Sequence, residues 1–294
     1  MNNARTNFNF MKWRQHAMIL SLILCVLSLG LVTFRGLNLG IDFTGGNVVQ
    51  VEFETRPDVG EVRDVVSSVV DMGAMIQDFG ERGIIIRTSE DTDESRQQLI
   101  DVLAGHYPDM TLLGFEQVGP TVGRELRSQA VWALVAALGG ILIYITLRFQ
   151  FRFAVVSVIP LIHDAVLTLG FFSLVQMEIS ASFIAAILTI VGYSLNNEII
   201  ILDRMRENWK DLEKASITEL VNASINQTLS RTINTTLTMI FPIIALCVWG
   251  GPVLATFSYA MLIGIIVGTY SSLMLTTGLV TEWWLRRPEN PAKR

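Results

Sequence analysis

The chain has 294 residues, of which 51% are hydrophobic and only 17% charged, with a net charge of −5. Soluble globular domains average about 25% charged residues, so most of this chain is solvated by lipid, and its acidic balance argues against a nucleic-acid partner. Cys25 and Cys247 lie in apolar runs and read as small buried hydrophobes, not as a disulfide or a metal site.

The first apolar run, 17–34, follows Lys12 and Arg14 and resembles an uncleaved signal anchor. Further runs near or above the ~20 residues that cross a bilayer fall at 129–147, 153–175, 182–202, 232–249 and 253–281, which predicts six spans. Basic residues mark one face of the membrane. Arg5, Lys12 and Arg14 precede the first span, Arg148 and Arg152 join the second to the third, and Arg204, Arg206, Lys210 and Lys214 follow the fourth. Arg286, Arg287, Lys293 and Arg294 close the chain, whereas the connections near 176–181 and 249–252 contain neither Lys nor Arg. Both termini are therefore expected in the cytoplasm.

The segment 38–126 is expected on the opposite side as a water-exposed domain. Asn47–Glu54 alternates like a strand, and Val59, Val62, Val65, Val66, Val69 and Val70 recur at helical spacing within 58–71. Ala74–Phe79 and Gly83–Thr88 read as strands around a turn, Asp93–Ala104 as a helix with Leu99, Val102 and Leu103 inward, and Thr111–Val118 as a last strand. The order βαββαβ is the ferredoxin-like split βαβ unit, a fold that hosts many activities. The predicted organisation is a cytoplasmic N-terminus and first span (1–37), this domain (38–126), a five-helix bundle (127–285) with a cytoplasmic amphipathic segment (203–230), and a tail (286–294). In that segment Ser216 and Glu219 have capping-box spacing, and Ile217, Leu220, Val221, Ile225 and Leu229 form one apolar face, expected to lie in the membrane interface.

Three spans carry polar sides. In the third, Ser157, Pro160, Asp164 and Thr168 form one helical stripe, with His163 beside it. In the fourth, Tyr193 and Asn197 are one turn apart, as are Ser194 and Glu198, with Gly192 and Asn196 adjacent. In the fifth, Arg231, Asn234, Thr235, Thr238 and Pro242 occupy one face. A charge at mid-span costs about 2.5–3.5 kcal/mol on insertion scales, so these groups are expected to converge in a hydrated conduit. Asp164 points most strongly to an ion path, the alternative being a carboxyl locked in place for packing. Glu198 and Arg231 lie nearer a membrane surface and could instead snorkel to it, and Asn196 and Asn197 could simply join helices. Desolvation favours the neutral form of an acid, which suits a carboxyl there to carry protons.

Gly40, Asp42, Gly45 and Gly46 belong to a glycine-rich turn leading into the first strand, with Asp42 expected to cap backbone amides. Gly264 and Gly268 give one GxxxG, read as close helix packing, while Pro160 and Pro242 allow kinks. No cluster of metal ligands and no nucleophile–base pair is legible, so neither a metal, a cofactor nor an enzyme activity is expected.

The stretches Gly40–Gly46 (GIDFTGG), His163-Asp164, Val191–Asn208 (VGYSLNNEIIILDRMREN), Thr228–Thr236 (TLSRTINTT) and Gly250–Val253 (GGPV) resemble, in order, the SecF family of the RND superfamily. The resemblance implies a six-span subunit of the bacterial inner membrane that pairs with SecD, often with YajC. It also implies association with the SecYEG channel and use of an ion-motive force to help draw unfolded preproteins across. Carried over by motif, Arg231 matches an arginine implicated in proton passage. The family's Leu-Asn-Asp motif places its acid at Asn197, which cannot titrate. Either a partner's acid works with Arg231, or Asp164 and Glu198 compensate, or coupling is altered. A non-energised assembly subunit and one half of a small-molecule exporter are the competing readings.

Overall fold

The computed structural model describes residues 8–69, 74–80, 82–88, 92–149, 151–209 and 216–286. Two units divide the chain, one comprising Met1–Asn38, Leu134–Met177 and Ser182–Arg294, the other Leu39–Ala133 and Glu178–Ala181. The helices, in chain order, are α1 (Arg14–Phe34), α2 (Ile41–Thr44), α3 (Val59–Ser67), α4 (Asp93–His106), α5 (Pro120–Arg148), α6 (Phe151–Val175), α7 (Ala181–Asn208), α8 (Ile217–Trp249), α9 (Gly251–Tyr270) and α10 (Thr277–Arg286). The strands are β1 (Gly46–Glu52), β2 (Met75–Phe79), β3 (Gly83–Thr88) and β4 (Thr111–Val118).

In the smaller unit the four strands form one antiparallel sheet in the order β2-β3-β1-β4. With α3 and α4 in the crossovers this is the ferredoxin-like arrangement expected from the sequence. Both helices start at side-chain caps. Asp58 accepts from Gly60 N at 2.7 Å, and Thr92 Oγ1 accepts from Ser95 N at 3.3 Å. Alternation then does the rest: Val49, Val51, Ile84 and Ile86 point to one face of the sheet, and Val62, Val66, Leu99 and Leu103 cover it. Val102, expected inward, is half-buried at the margin. Val70 and Asp71 of the predicted first helix lie outside the described residues.

The larger unit holds most of the length of six helices long and apolar enough to cross a membrane: Phe10–Phe34, Pro120–Arg148, Phe151–Val175, Ala181–Asn208, Ile217–Trp249 and Val253–Arg286. The chain is thus a multi-pass membrane protein. α6 is its centre and α5 its periphery, with 56% and 6% of their most apolar windows buried. Gly170 of α6 lets Ser28 of α1 approach, because a Cβ there would overlap the serine. Gly264 and Gly268 do the same for α7, facing Ile190 and Ser194, so the GxxxG is a packing device.

Two features depart from the reading of the sequence. The capping box at Ser216 is present, but residues 217–249 form one unbroken helix. The apolar face at Leu220, Val221 and Ile225 packs against Ile201, Leu202, Met205 and Trp209 instead of lying on headgroups, since protein surface of matching shape is at hand. The last span is also interrupted: between α9 and α10, Ser271–Thr276 forms a π-helical segment. Such segments widen a helix and re-aim its side chains.

Leu103 and Leu113 separate core from surface in the ferredoxin-like unit. Leu103→Ala, at a fully buried site, is expected to destabilise that unit by about 2–5 kcal/mol. Leu113→Ala, at an exposed site on β4, should stay within about 0.5 kcal/mol. Thermal unfolding of the purified chain followed by circular dichroism checks both.

Candidate functional site

α6 carries its predicted stripe inward, and Ser157, Asp164 and Thr168 are all fully buried. Thr168 Oγ1 donates to the Asp164 backbone carbonyl at 2.8 Å, the usual way a hydroxyl is hidden in a helix. Asp164 Oδ2 accepts from Ser194 Oγ of α7 at 2.6 Å and from Ser271 Oγ of the π-helical segment at 2.8 Å. Its Oδ1 lies 3.0 Å from His163 Nδ1. Either that nitrogen donates to the carboxylate or the acid donates to the nitrogen, so the bond holds one proton.

Glu198 is also fully buried, one helical turn beyond Ser194 on α7. Its Oε1 accepts from Thr276 Oγ1 at 3.0 Å, while Oε2 has no partner among the described residues. Ser157 lies close enough to Glu198 to act on it electrostatically, but its hydroxyl makes no bond of good geometry. Asn197 is fully buried, and neither of its amide atoms, nor His163 Nε2 nor Thr232 Oγ1, has a hydrogen-bond partner among the described residues. Buried polar atoms are normally satisfied by protein or ordered water, so this concentration of unpaired atoms in an apolar bundle is the unusual feature of the molecule.

The convergence therefore involves the third, fourth and sixth spans, not the third, fourth and fifth. α8 has two polar stripes. It buries Ser224, Thr228, Thr232 and Thr236, and it leaves Arg231, Asn234 and Thr238 exposed. Within the buried stripe Ser224 and Thr228 satisfy their hydroxyls on carbonyls one turn back, at 2.8 and 3.0 Å. α8 joins α7 and α9 through Tyr193 OH, which donates to Thr236 Oγ1 at 2.7 Å, with Thr236 3.1 Å from Thr269 Oγ1, and through Asn208 Nδ2, which donates to Ser224 Oγ at 2.8 Å. Gly192 and Asn196 are exposed on α7. Sequence reasoning missed Ser271 and Thr276. The signal was the cluster of hydroxyl residues at 269–272 and 276–277 in an otherwise apolar span.

The glycine-rich stretch belongs to the other unit. Gly45 (φ +76°) and Gly46 (φ +124°) occupy backbone regions open to glycine, and a Cβ on Gly45 would lie 2.9 Å from Pro120 Cα. Asp42 does cap an amide, but a distant one, accepting from Ala181 N at 2.7 Å at the start of α7. Gly40 N donates to Ile179 O at 2.8 Å, and a side chain at Gly40 would collide with the Glu178 carboxyl. Glu178 is itself ion-paired with Arg87, whose other nitrogen donates to Gln77 at 2.7 Å. Residues 178–181 are thus held by Gly40 and Asp42 at the start of α2 and by Arg87 of β3.

Burial holds the Glu178 carboxyl above the ordinary glutamate range; Arg87 pulls it back part of the way, and Asp42 and Glu116 push it up. A raised folded-state pKa means that Glu178 favours the folded clasp most in acid. That contribution falls as pH rises from about 4.3, the ordinary glutamate value, through the folded one. Glu178→Gln should flatten this part of the pH profile, while Arg87→Ala, which leaves a half-buried carboxylate unpaired, should steepen it. Unfolding midpoints across pH on the purified variants check both signs.

Six membrane-length helices around buried carboxyl groups, with a ferredoxin-like domain inserted after the first helix, define a polytopic membrane protein of the kind that moves something across a bilayer. Residues 98–286 match the family model for the SecD/SecF protein export membrane protein, C-terminal region, and residues 30–55 match the SecD/SecF GG motif. The chain is 43% identical to the protein translocase subunit SecF of Desulfurispirillum indicum, over 97% of this chain and 94% of that one. It is 39% identical to that of Pseudomonas aeruginosa, over 96% and 93%. Its structure matches that of SecDF, a translocon-associated membrane protein from Thermus thermophilus, with a TM-score of 0.91 and 40% identity, covering 97% of this chain and 40% of that longer one. A SecDF structure described as a super-membrane-facing form matches less closely, with a TM-score of 0.74 at the same identity. The chain belongs to the SecD/SecF protein-export family, on its SecF side, whose members are protein translocase subunits.

Proposed function

We propose that the chain pairs with a SecD-type subunit and that the pair uses an ion-motive force, of H⁺ or Na⁺, to assist late steps of protein translocation through a SecYEG channel. The observation that carries this reading is the presence of two fully buried carboxyl groups, Asp164 and Glu198, on adjacent membrane helices. Among the described residues neither has a lysine or arginine partner. Ionisable groups placed so usually mark ion paths. His163 Nδ1 lies 3.0 Å from the Asp164 carboxyl, and Asn197 neighbours Glu198 on the same helix.

The exposed polar face supports the pairing. Arg231 and Asn234 on α8, and Asn196 on α7, would meet lipid at a high cost unless another chain covered them. In this reading Arg231 faces an acid of the SecD-type partner, which takes over the titration that Asn197 cannot perform. The Thermus relative, named SecDF and about two and a half times as long, supports such a partner. YajC, the channel and an unfolded preprotein complete the set. The basic connections support an inner-membrane orientation with both termini cytoplasmic and the ferredoxin-like domain periplasmic. That SecDF has been captured in forms that match this chain unequally supports movement as part of the working cycle.

Asn197 favours a second reading, a non-energised assembly subunit of the same complex. The two separate in inverted vesicles carrying an imposed ion gradient. If the coupled reading holds, Asp164→Asn, Glu198→Gln and Arg231→Ala each bring gradient-stimulated export of a reporter preprotein down to the level without a gradient, with the partner still co-purifying. Unchanged stimulation in all three variants would establish the assembly role instead.

A further inference from the structure

At the end of the helical unit that carries the N-terminus, α1 and α10 diverge around a pocket of about 350 Å³ lined by Met18, Leu279, Glu282, Trp283 and Arg286. Beneath it the helices are held together by Gly278, where an added Cβ would lie 3.3 Å from Met18 Sδ and 3.7 Å from Arg14 Cβ. The floor is apolar and the rim charged. Arg14 Nε pairs with Glu282 Oε1 at 3.1 Å, and Arg286 Nε lies 4.0 Å from Glu282 Oε2. One carboxylate thus serves two guanidinium groups, and a positive charge remains on Arg286, whose side chain is 81% exposed.

Three observations decide the occupant. The surplus charge calls for an anion. The apolar floor continues away from the rim, since Met18 leads at helical spacing to Leu22, Val26 and Leu29, all exposed on α1. Trp283, partly buried, lines the rim, and Trp13, exposed, directly precedes Arg14 in the chain; tryptophan is the residue type that sits at the level of lipid headgroups. An anionic head above a long apolar tail satisfies all three together, whereas a partner helix would leave Arg286 uncompensated.

We propose that the groove between α1 and α10 binds an anionic phospholipid. Its phosphate is held by Arg286, with Arg14 behind it, and one acyl chain lies on Leu279 and Met18 and continues along α1. Basic pockets between membrane helices recognise headgroups in this way. The proposal stands apart from the ion-coupling reading, because none of its residues belongs to the Asp164–Glu198 interior.

Native mass spectrometry of the full chain, purified in mild detergent and titrated with phosphatidylglycerol or phosphatidylcholine of identical acyl chains, tests it. The first lipid bound should favour phosphatidylglycerol by about fivefold, the contribution of one arginine near a headgroup. Arg286→Gln, a surface change that leaves the fold intact, should abolish that preference. Leu279→Trp, which fills the floor, should lower first-site occupancy by both lipids. Equal binding of the two lipids, or a preference that survives Arg286→Gln, overturns the proposal. So does a photo-cross-linker at Met18 that captures a protein chain instead of lipid in native membranes.

Discussion

Burying a carboxyl group where hydrocarbon surrounds the bundle sets the terms for the rest of the helical unit. Asp164 is tolerable because two serine hydroxyls and an imidazole nitrogen converge on it, and those groups arrive from three different segments. Each segment is shaped accordingly. α6 is the most enclosed helix, Gly268 has no side chain because Ser194 and the Asp164 carboxylate stand next to it, and the last span widens into a π-helical stretch where it meets both acids. That widening places Ser271 on Asp164 and Thr276 on Glu198.

The ferredoxin-like unit obeys a different rule, the ordinary one of an apolar sheet face covered by two helices. What distinguishes it is the clasp. The segment that opens α7 is held through Asp42, Gly40, Arg87 and a backbone bridge at Leu39 and Ile179. Glu198 lies farther along the same continuous helix.

Much of this was legible in the sequence because the signals were local. Strand alternation, the capping-box spacing at Ser216 and runs of apolar residues of membrane length gave the order of elements and the six spans. Asp164, Ser194 and Glu198 could be placed in an interior because each shares a helical face with other polar groups. Three things were not local. Which of two polar stripes on α8 turns inward depends on the packing of α9, and Arg231 stayed outside. Ser271 and Thr276 were hidden because hydroxyls in an apolar span usually bond their own backbone, and nothing in the residue string marks a change of helical pitch. Asp42 capped an amide 139 residues away instead of its neighbours, a partner fixed only by the tertiary fold.

The account rests on Asp164 and Glu198 facing a wet, titratable interior. Infrared difference spectra of the full chain in lipid, recorded between two pH values in H₂O and D₂O, test this most directly. A carboxyl band that titrates, shifts in D₂O, and loses intensity in Asp164→Asn or Glu198→Gln is the expected result. A spectrum with no such band, or with bands indifferent to both substitutions, would contradict it.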